Sequence, residues 1–223
     1  MTVAVVIPAA GRGERLGADR PKAFVDVAGR SLLEHAVDGI RPVADLIVVA
    51  APTTLVEQVR SLLSDVEVVA GGDVRQDSVR AALALLPADV DIVLVHDAAR
   101  AWVPVEVSWR VVQAVRDGAD AVIPVVAVTD TVKEVESDGA VVRTVDRTSL
   151  RCVQTPQGFR RDVLVRAHAA GATGPSATDD AGLVEALGLT VVTVEGSAEA
   201  FKVTTPFDLE VARALMTSRS AGV

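Results

Sequence analysis

The strongest candidate for chemistry in this chain is a loop that follows the first apolar run. From Pro8 to Gly17 the loop reads Pro-Ala-Ala-Gly-Arg-Gly-Glu-Arg-Leu-Gly, and Pro21-Lys22 follows. Glycines let backbone N–H groups approach an anion closely, and oriented amides in a loop form an anion-binding nest. Four cations lie within eleven residues of this otherwise acidic chain: Arg12, Arg15, Arg20 and Lys22. The loop therefore predicts a nucleoside triphosphate site, with Arg15 and Lys22 supplying full positive charges.

Other uses of such a loop fit less well. A glycine-rich turn can serve strand–helix packing alone, but packing does not explain the cluster of cations. The phosphate-binding P-loop needs Gly-Lys-Ser or Gly-Lys-Thr at its end, and this loop has neither. A dinucleotide fingerprint needs an acidic residue near the end of the second strand, whereas the second apolar run ends in Ala50-Ala51-Pro52. A dehydrogenase is therefore a poor fit.

A second polar segment comes after the third apolar run. It begins with Gly71-Gly72-Asp73 and continues with Arg75, Asp77 and Ser78. The glycines permit close approach to a base or a ribose, and Asp73 and Ser78 can offer polar contacts. A turn that caps the next helix would explain the same residues, so this segment alone is a weak signal.

A third polar segment, His96-Asp97-Ala98-Ala99-Arg100, directly follows the apolar run Ile92–Val95. A carboxylate at the carboxyl end of a strand lies where an open α/β sheet places its ligands. The alanines leave room beside it, and Arg100 can meet a phosphate in bidentate fashion. We therefore predict that Asp97 and Arg100 bind substrate, and that His96 is a buried packing residue.

Short apolar runs alternate with amphipathic segments along most of the chain. The runs are rich in β-branched residues and lack polar alternation, as in interior strands of a parallel sheet. They are Val3–Ile7, Leu46–Ala51, Val66–Val69, Ile92–Val95, Ala121–Val126 and Thr190–Val194. Helix-start signals lie between them: a capping-box pattern at Ser31, N-cap candidates at Thr53 and Thr178, and prolines suited to a first turn at Pro104 and Pro206. This alternation predicts a Rossmann-like, doubly wound α/β fold with a mostly parallel sheet.

One segment departs from this alternation. Two stretches rich in Thr and Val, Val128–Glu136 and Ala140–Asp146, flank Ser137-Asp138-Gly139. Asp-Gly between strand-like stretches is a strong hairpin signal, so we predict a protruding β-arm over approximately residues 128–147. An isolated two-stranded arm is marginal in water. The residue pattern leaves open whether the arm packs on its own domain or on a second subunit.

Composition limits the class of protein. The 223 residues contain no linker-like stretch, so we predict one domain over residues 1–223. The net charge of −8, from 22 basic and 30 acidic residues, argues against a general binder of nucleic acid or anionic membranes. Cys152 is the only cysteine, so no intramolecular disulfide or cysteine-rich zinc site can form. No apolar run approaches the ~18 residues of a membrane helix and no secretory signal is evident, so we expect a cytoplasmic protein.

The ordered set of motifs resembles the 2-C-methyl-D-erythritol 4-phosphate cytidylyltransferases of the non-mevalonate isoprenoid pathway. The matching segments cover essentially the whole chain: Pro8-Ala9-Ala10-Gly11 with Arg15 and Lys22, Gly71-Gly72-Asp73 with Ser78, His96-Asp97-Ala98-Ala99-Arg100, Asp130-Thr131, Thr144-Val145-Asp146-Arg147, Thr155-Pro156-Gln157, Thr178-Asp179 and Lys202-Val203-Thr204. The resemblance implies a fold of the nucleotide-diphospho-sugar transferase type. It also implies transfer of CMP from CTP to a small polyol phosphate, 2-C-methyl-D-erythritol 4-phosphate, with release of pyrophosphate.

The resemblance further implies roles for individual residues. CTP would be contacted by Pro8, Ala9, Ala10, Gly11, Gly13, Gly72, Asp73 and Ser78. Arg15 and Lys22 would stabilise the transition state, with Mg²⁺ carried on the CTP phosphates. The acceptor would be surrounded by Asp97, Ala98, Arg100, Thr155, Thr178 and Lys202. Family members are homodimers whose arm reaches the neighbouring active site, so Thr131 and Arg147 would come from the partner subunit's arm, and Arg147 and Lys202 would hold the acceptor phosphate.

Two departures from the family pattern stand out. Ala101-Trp102 stands where the family often has proline, and Arg12 stands where a small or neutral residue is common. Three alternative hypotheses stay open: a ribitol 5-phosphate cytidylyltransferase, which shares much of the site; a sugar-nucleotide pyrophosphorylase, which would use another loop spacing and lacks the arm; and a nucleotide-sensing module without catalysis. The residues of the loops do not by themselves select cytosine over uracil.

Overall fold

The computed structural model describes residues 1–11, 20–172 and 177–221. The strands are β1 Thr2–Pro8, β2 Asp26–Val27, β3 Arg30–Ser31, β4 Leu46–Ala51, β5 Glu67–Ala70, β6 Val90–Val95, β7 Ala121–Ala127, β8 Val132–Val135, β9 Val141–Val145, β10 Arg151–Val153, β11 Gln157–Arg160 and β12 Val191–Glu195. The α-helices are α1 Leu32–Ile40, α2 Val56–Leu62, α3 Arg75–Leu83, α4 Val105–Arg116, α5 Arg161–Ala170, α6 Asp180–Glu185 and α7 Pro206–Ala221. None of the helices described is both long and apolar enough to cross a membrane.

Eight of these strands form one mostly parallel sheet. β5, β4, β1 and β6 lie side by side and run parallel, and β11 and β7 follow beyond β6. β7 pairs in parallel with β12, whereas β11 and β10 pair antiparallel with its first and last residues. From β1 the chain builds outward to β4 and β5, and it then places β6 on the other side of β1. This reversal of strand order opens a crevice at the carboxyl ends of β1 and β6.

Helices cover both faces of the sheet, because side chains of β1 alternate between two cores. Val3, Val5 and Ile7 belong to the core under α1, α2 and α4, whereas Ala4 and Val6 belong to the core under α3, α5 and α6. All five are at most 1% exposed. Burial on both faces accounts for an apolar run without polar alternation. The predicted doubly wound α/β fold is confirmed.

A third, smaller core joins α7 to the chain beside the crevice. Its centre is Trp102, whose ring centroid lies 5.4 Å from that of His35 and 6.3 Å from that of Phe201. Val27 and Val203 are buried in the same cluster. The unusual Ala101-Trp102 pair therefore fills a core and does not face the solvent.

Two strand predictions need correction. The predicted interior strand Thr190–Val194 occurs as β12, but in the described part of the chain it pairs only with β7, and Val192 is 40% exposed. A strand with one neighbour needs apolar residues only where helices cover it. β10 and β11 were not predicted, because runs of three and four residues carry almost no periodicity.

Two predicted helix starts are confirmed. Ser31 Oγ accepts a hydrogen bond from Glu34 N at 3.3 Å, and Glu34 Oε2 accepts one from Ser31 N at 2.8 Å. This reciprocal pair is a complete capping box for α1. Pro206 is the first residue of α7, where its missing N–H removes no helical hydrogen bond.

Three other predicted helix starts are displaced. Pro104 occupies the N-cap position one residue before α4. Thr53 begins a short 3-10 helix instead of capping α2, which has no side-chain cap. α6 is capped by Asp179 and not by Thr178, since the Asp179 side chain accepts a hydrogen bond from a backbone N–H of the first turn. A carboxylate both accepts that bond and interacts favourably with the helix dipole.

The predicted β-arm is confirmed as a hairpin of β8 and β9 in a sheet of their own. Gly139 in its turn has a φ of +88°, which glycine adopts without steric cost. Three apolar side chains of the arm are at least half exposed: Val135 at 56%, Val141 at 60% and Val142 at 50%. The arm therefore does not bury these apolar residues on the described part of its own chain.

Candidate active site

A cavity opens at the carboxyl ends of β1, β5 and β6, where the strand order reverses. Its wall comes from segments that lie far apart in the sequence. The predicted site residues that line it are Pro8, Ala9, Ala10, Gly11, Lys22, Gly72, Asp73, Ser78, Asp97, Ala98 and Lys202. Ala23, Val74, Arg75 and Ala99 complete the described lining. The polar segments found in the sequence therefore meet at one place.

Two loops form one wall of the cavity, and each is hydrogen-bonded to the end of β4, which lies between β1 and β5. After β1, Ala9 N donates to Ala50 O at 2.8 Å, and after β5, Gly71 N donates to Ala51 O at 2.8 Å. A Cβ atom on residue 71 would lie only 2.5 Å from Ala10 Cβ, so glycine is what lets the two loops meet. The resulting wall presents backbone and small side chains, which suits amide contacts with a nucleotide.

Ser78 supports this wall from α3. Its side chain is buried, and its Oγ accepts from Gly72 N at 3.2 Å and donates to Val74 O at 3.4 Å. The neighbouring Asp73 is exposed. Ser78 therefore fixes the shape of the loop after β5, and Asp73 can reach a ligand in the cavity.

Lys22 lies on the cavity at the start of a short 3-10 helix, Lys22–Phe24. Ala23 and Phe24 are 5% and 8% exposed and belong to the main core, and Val25 N donates to Lys22 O at 3.1 Å. These contacts anchor the backbone of Lys22. The structure thus brings a lysine, predicted to stabilise the transition state, to the same cavity as the glycine-bearing loops.

Asp97 is the charged centre of the opposite wall. Lys202 Nζ lies 2.7 Å from its Oδ2 and Arg75 Nε lies 3.4 Å from its Oδ1. Burial raises the pKa of the Asp97 carboxyl, but the charges of Arg75 and Lys202 outweigh burial and hold that pKa well below its usual range. Asp97 is therefore ionised at neutral pH and can accept hydrogen bonds from hydroxyl groups.

Arg75 is a charged residue of this cavity to which the sequence assigned no role. It opens α3, and its Nη1 lies 2.6 Å from Asp180 Oδ2. Asp180 is fully buried, and its Oδ1 accepts a hydrogen bond from His168 Nε2 at 2.9 Å. The only sequence signal for Arg75 was its place after Gly-Gly-Asp. Nothing local in the sequence indicates its pairing with distant carboxylates.

Arg100, predicted to meet a phosphate, does not line the cavity. Its Nη1 donates to Ala200 O at 2.6 Å and its Nη2 donates to Val153 O at 3.0 Å. Burial lowers the pKa of its guanidinium, and the charge of Asp97 opposes that shift. In this arrangement Arg100 ties the loop after β6 to the segment before Lys202.

His96 and Thr155 form a buried layer behind Asp97. Thr155 Oγ1 accepts from Asp97 N at 3.0 Å and also forms a hydrogen bond of 3.1 Å with His96 Nδ1. Burial lowers the pKa of His96 to about 4, so the ring is neutral at neutral pH. The prediction of His96 as a buried packing residue is confirmed. Thr155, predicted to contact the acceptor, lies beneath the carboxylate.

The remaining predicted residues that the structure describes are not brought to this cavity. Thr131 and Arg147 are exposed on and beside the arm, where Arg147 donates to Thr129 O. Thr178 is exposed just before α6. Three further positions lie outside the described residues: Arg12, Gly13 and Arg15.

Comparison with known proteins agrees with this geometry. The family model described as IspD, 2-C-methyl-D-erythritol 4-phosphate cytidylyltransferase, matches residues 3–218. The protein of that name from Frankia casuarinae is 57% identical over 217 residues, which are 96% of this chain and 81% of the relative. The protein of that name from Rhodococcus jostii is 55% identical over 217 residues, which are 96% of this chain and 95% of the relative.

Solved structures lead to the same family. The 2-C-methyl-D-erythritol 4-phosphate cytidylyltransferase of Thermus thermophilus superposes with a TM-score of 0.81 at 40% identity, covering 96% of this chain and 98% of that one. The 4-diphosphocytidyl-2C-methyl-D-erythritol synthase of Anaerococcus prevotii superposes with a TM-score of 0.85 at 27% identity, covering 97% and 96%. Both likenesses extend over nearly the full length of both chains.

Proposed function

Since this chain belongs to the 2-C-methyl-D-erythritol 4-phosphate cytidylyltransferase family, we propose that the cavity beyond β1, β5 and β6 transfers CMP from CTP to 2-C-methyl-D-erythritol 4-phosphate. The products are 4-diphosphocytidyl-2-C-methyl-D-erythritol and pyrophosphate, and the reaction belongs to isoprenoid precursor biosynthesis. One observation carries the proposal for the site: the glycine-bearing loops and the Asp97–Lys202 pair line one cavity.

The reaction joins two anions. An oxygen of the acceptor phosphate attacks the α-phosphorus of CTP in line, the bond from that phosphorus to the bridging oxygen breaks, and pyrophosphate leaves with the electron pair. A phosphate monoester is already mostly ionised at pH 7, so the attack needs no general base. The barrier is charge repulsion and charge growth, which positioning and fixed positive charge reduce.

The wall after β1 and β5 is suited to the nucleotide. Backbone from Ala9 to Gly11 and at Gly72 would contact CTP, and the exposed Asp73 would offer a polar contact. Lys22, together with Arg15, would neutralise the α- and β-phosphates as charge shifts to the leaving group. The support for this assignment is the close approach of the two loops at Gly71 and Ala10, which leaves backbone and small side chains on this wall.

The wall after β6 is suited to the polyol phosphate. Asp97, held ionised by two cations, would accept hydrogen bonds from the hydroxyl groups of the acceptor. Lys202, which lies on the cavity, would hold the acceptor phosphate on the line of attack together with Arg147. Arg100, Thr155 and Thr178 would complete the acceptor site by the family resemblance.

Magnesium would enter as part of the Mg–CTP substrate. In residues 1–11, 20–172 and 177–221 no group of three or more His, Cys, Asp or Glu side chains is placed to hold a metal ion. Of the carboxylates that line the cavity, Asp97 has a cation on each of its oxygens. The phosphates of CTP are therefore the expected ligands of the ion, which neutralises their charge when bound.

We also propose a homodimer in which the arm completes the neighbouring site. The support is the exposure of Val135, Val141 and Val142 on a hairpin that covers nothing on the described part of its own chain. Mixing an Arg147→Ala chain with a Lys22→Ala chain should restore activity that neither variant has alone, because the mixed dimer holds one complete site. If every such mixture stays inactive while the chains demonstrably exchange, the arm does not act across subunits.

Two broader expectations accompany this function. One domain is supported by the sheet, which takes β1 and β12 from regions near opposite ends of the chain. A cytoplasmic location is supported by the one cysteine, since Cys152 is exposed and free, as is usual in a reducing compartment.

Pyrophosphate release by the purified protein tests the function directly. We expect release with CTP and 2-C-methyl-D-erythritol 4-phosphate, and much less with UTP, ATP or GTP or without an acceptor. Ribitol 5-phosphate is the control acceptor, because it also presents a phosphate and a row of hydroxyl groups. Preferred turnover of ribitol 5-phosphate would reassign the substrate, and CTP binding without pyrophosphate release from any acceptor would refute the activity.

A further inference from the structure

A chain of alternating charges runs from the cavity into the interior of the protein. It begins at Lys202, passes through Asp97 and Arg75, and ends at Asp180, which also accepts the hydrogen bond from His168. The exposed fraction of the side chain is 39% at Lys202, 12% at Asp97, 29% at Arg75 and 0% at Asp180. Only the first three of these residues line the cavity. Asp180 and His168 are therefore too deep to touch a substrate.

Burying the ionised carboxylate of Asp180 costs free energy of folding, because the group loses its hydration. Burial raises the pKa of Asp180, but the hydrogen bond from His168 and the charge of Arg75 outweigh it and hold that pKa below its usual value. Asp180 thus stays ionised because both of its oxygens have partners. Such an arrangement keeps the guanidinium of Arg75 in one orientation, since Nη1 is committed to Asp180 and Nε faces Asp97.

We propose that Asp180, oriented by His168, is a positioning residue for acceptor binding: it holds Arg75 so that Arg75 in turn orients the carboxylate of Asp97. The proposal rests on the function given above, in which Asp97 binds the hydroxyl groups of the polyol phosphate. Without Asp180, Asp97 is the one ion-pair partner left to Arg75 among the described residues, and Arg75 can turn toward it or toward a phosphate in the cavity. The carboxylate would then be misplaced for the acceptor, while the backbone wall that faces CTP keeps its own hydrogen bonds.

A positioning role and a purely structural role predict changes in different kinetic constants. Asp180→Asn keeps the shape of the side chain and removes its charge. We expect this variant to raise the KM for the acceptor about tenfold, with the KM for CTP within about twofold of wild type. His168→Gln keeps Asp180 but weakens the hydrogen bond that orients it, so this variant should also raise the acceptor KM, by a smaller factor. Arg75→Lys should retain part of the acceptor affinity that Arg75→Met loses.

Arg80→Met is the matched control, because Arg80 lies on the same helix, pairs with Asp77 and does not line the cavity. Its acceptor KM should equal that of wild type. A double-variant cycle gives the sharpest readout: if Asp180 acts through Arg75, adding Asp180→Asn to Arg75→Met should not raise the acceptor KM further. Thermal unfolding of every variant, followed by circular dichroism, reports stability separately.

The outcomes are distinct. If wild type releases no pyrophosphate with any acceptor, the proposed function fails and this inference fails with it. If wild type is active but Asp180→Asn lowers only the unfolding temperature, or raises both KM values alike, the positioning role is overturned and the function stands. If Asp180→Asn does not fold, an unchanged acceptor KM in both His168→Gln and Arg75→Lys overturns it instead.

Discussion

The two walls of the cavity differ in the chemical groups that form them. The wall after β1 and β5 consists of backbone and small side chains, held together by hydrogen bonds such as that from Gly71 N to Ala51 O. The wall around Asp97, which follows β6, consists of charged side chains that pair with one another: Arg75 from the start of α3 and Lys202 from the segment before α7 lie on either side of the carboxylate. The first wall depends on shape, and the second depends on the balance of charges.

We call the wall after β1 and β5 the backbone wall and the wall around Asp97 the charged wall. Because they differ in composition, they should be sensitive to different substitutions. A wall of backbone should not tolerate the addition of a methyl group where two loops touch. A wall of paired charges should tolerate small changes of shape but not the removal of one partner, because that leaves another charge without compensation. Substitutions in the backbone wall should therefore impair the reaction with CTP, and substitutions in the charged wall should impair binding of the acceptor.

The largest effect is expected at Lys22, whose charged side chain lies on the cavity beside the backbone wall. Lys22→Ala should lower kcat by about two to three decades with a small change in either KM, because its ammonium group would act on charge that develops in the transition state. Steady-state kinetics with both substrates varied would measure this. Arg116→Ala, an exposed arginine at the end of α4, is the control and should behave as wild type. Turnover near that of wild type in Lys22→Ala would mean that backbone alone serves this wall.

A smaller effect is expected at Lys202, which tests the charged wall. Lys202→Ala should raise the acceptor KM by about 10- to 100-fold, the range for losing a hydrogen bond to a charged group, and leave the KM for CTP nearly unchanged. Lys202→Arg should recover part of the loss because it keeps the positive charge. An equal rise in both KM values would show that the two walls are not independent.

The Gly71→Ala change tests the backbone wall by shape alone. The new Cβ would lie 2.5 Å from Ala10 Cβ and 2.8 Å from Ser78 Oγ, so the loops must separate. We expect the KM for CTP to rise about tenfold, since a misplacement near 1 Å is costly, and the acceptor KM to stay near wild type. Gly39→Ala in α1 is the matched control, because its Cβ would make only an ordinary contact at 3.6 Å with Ala101 O. Unchanged use of CTP by Gly71→Ala would contradict a rigid backbone wall.

The two walls also differ in how far the sequence could predict them. The backbone wall follows from local signals: glycines and alanines directly after β1 and β5, where an open α/β sheet places its ligands. The charged wall was found only in part. Asp97 follows its strand immediately, but the partners of Arg75 are distant in sequence, and no periodicity or motif indicates that Asp180 will be buried beside it.

The elements of the fold divide in the same way into those that local sequence predicts and those that depend on pairing with distant segments. Buried parallel strands such as β1 and β4 were predicted because a two-faced core requires an unbroken apolar run. β10 and β11 were missed because their places beside β7 depend on distant pairing and not on their own three or four residues. The hairpin of the arm was predicted from Asp-Gly, a local turn signal, whereas no local signal indicates what the arm packs against.

The smallest effect on turnover is expected at His96, which lies behind the charged wall without lining the cavity. Burial lowers its pKa from 6.5 to about 4, so between these pH values the unfolded chain binds a proton that the folded protein does not. Stability then rises with pH in this window and is lost as the pH falls from 6.5, by about 2 kcal/mol between pH 7 and pH 5. The depressed pKa values of Asp97 and Asp180 act in the same direction but only at lower pH, since their stabilisation is present above the ordinary pKa of a carboxyl and is lost as the pH falls through the folded value.

His96→Asn isolates this contribution, because an amide group can replace Nδ1 as the hydrogen-bond partner of Thr155 Oγ1, whether as donor or acceptor, without titrating. We expect kcat within about twofold of wild type, since the change is local and leaves the charges of the wall in place. Urea unfolding at pH 7 and pH 5 should show a loss of stability in the variant that is smaller than the loss in wild type by about 2 kcal/mol. Equal losses in the two proteins would mean that the buried ring does not control the acid response. A large fall in kcat would mean instead that the layer behind Asp97 is part of the charged wall, and the division between the walls would have to be redrawn to include it.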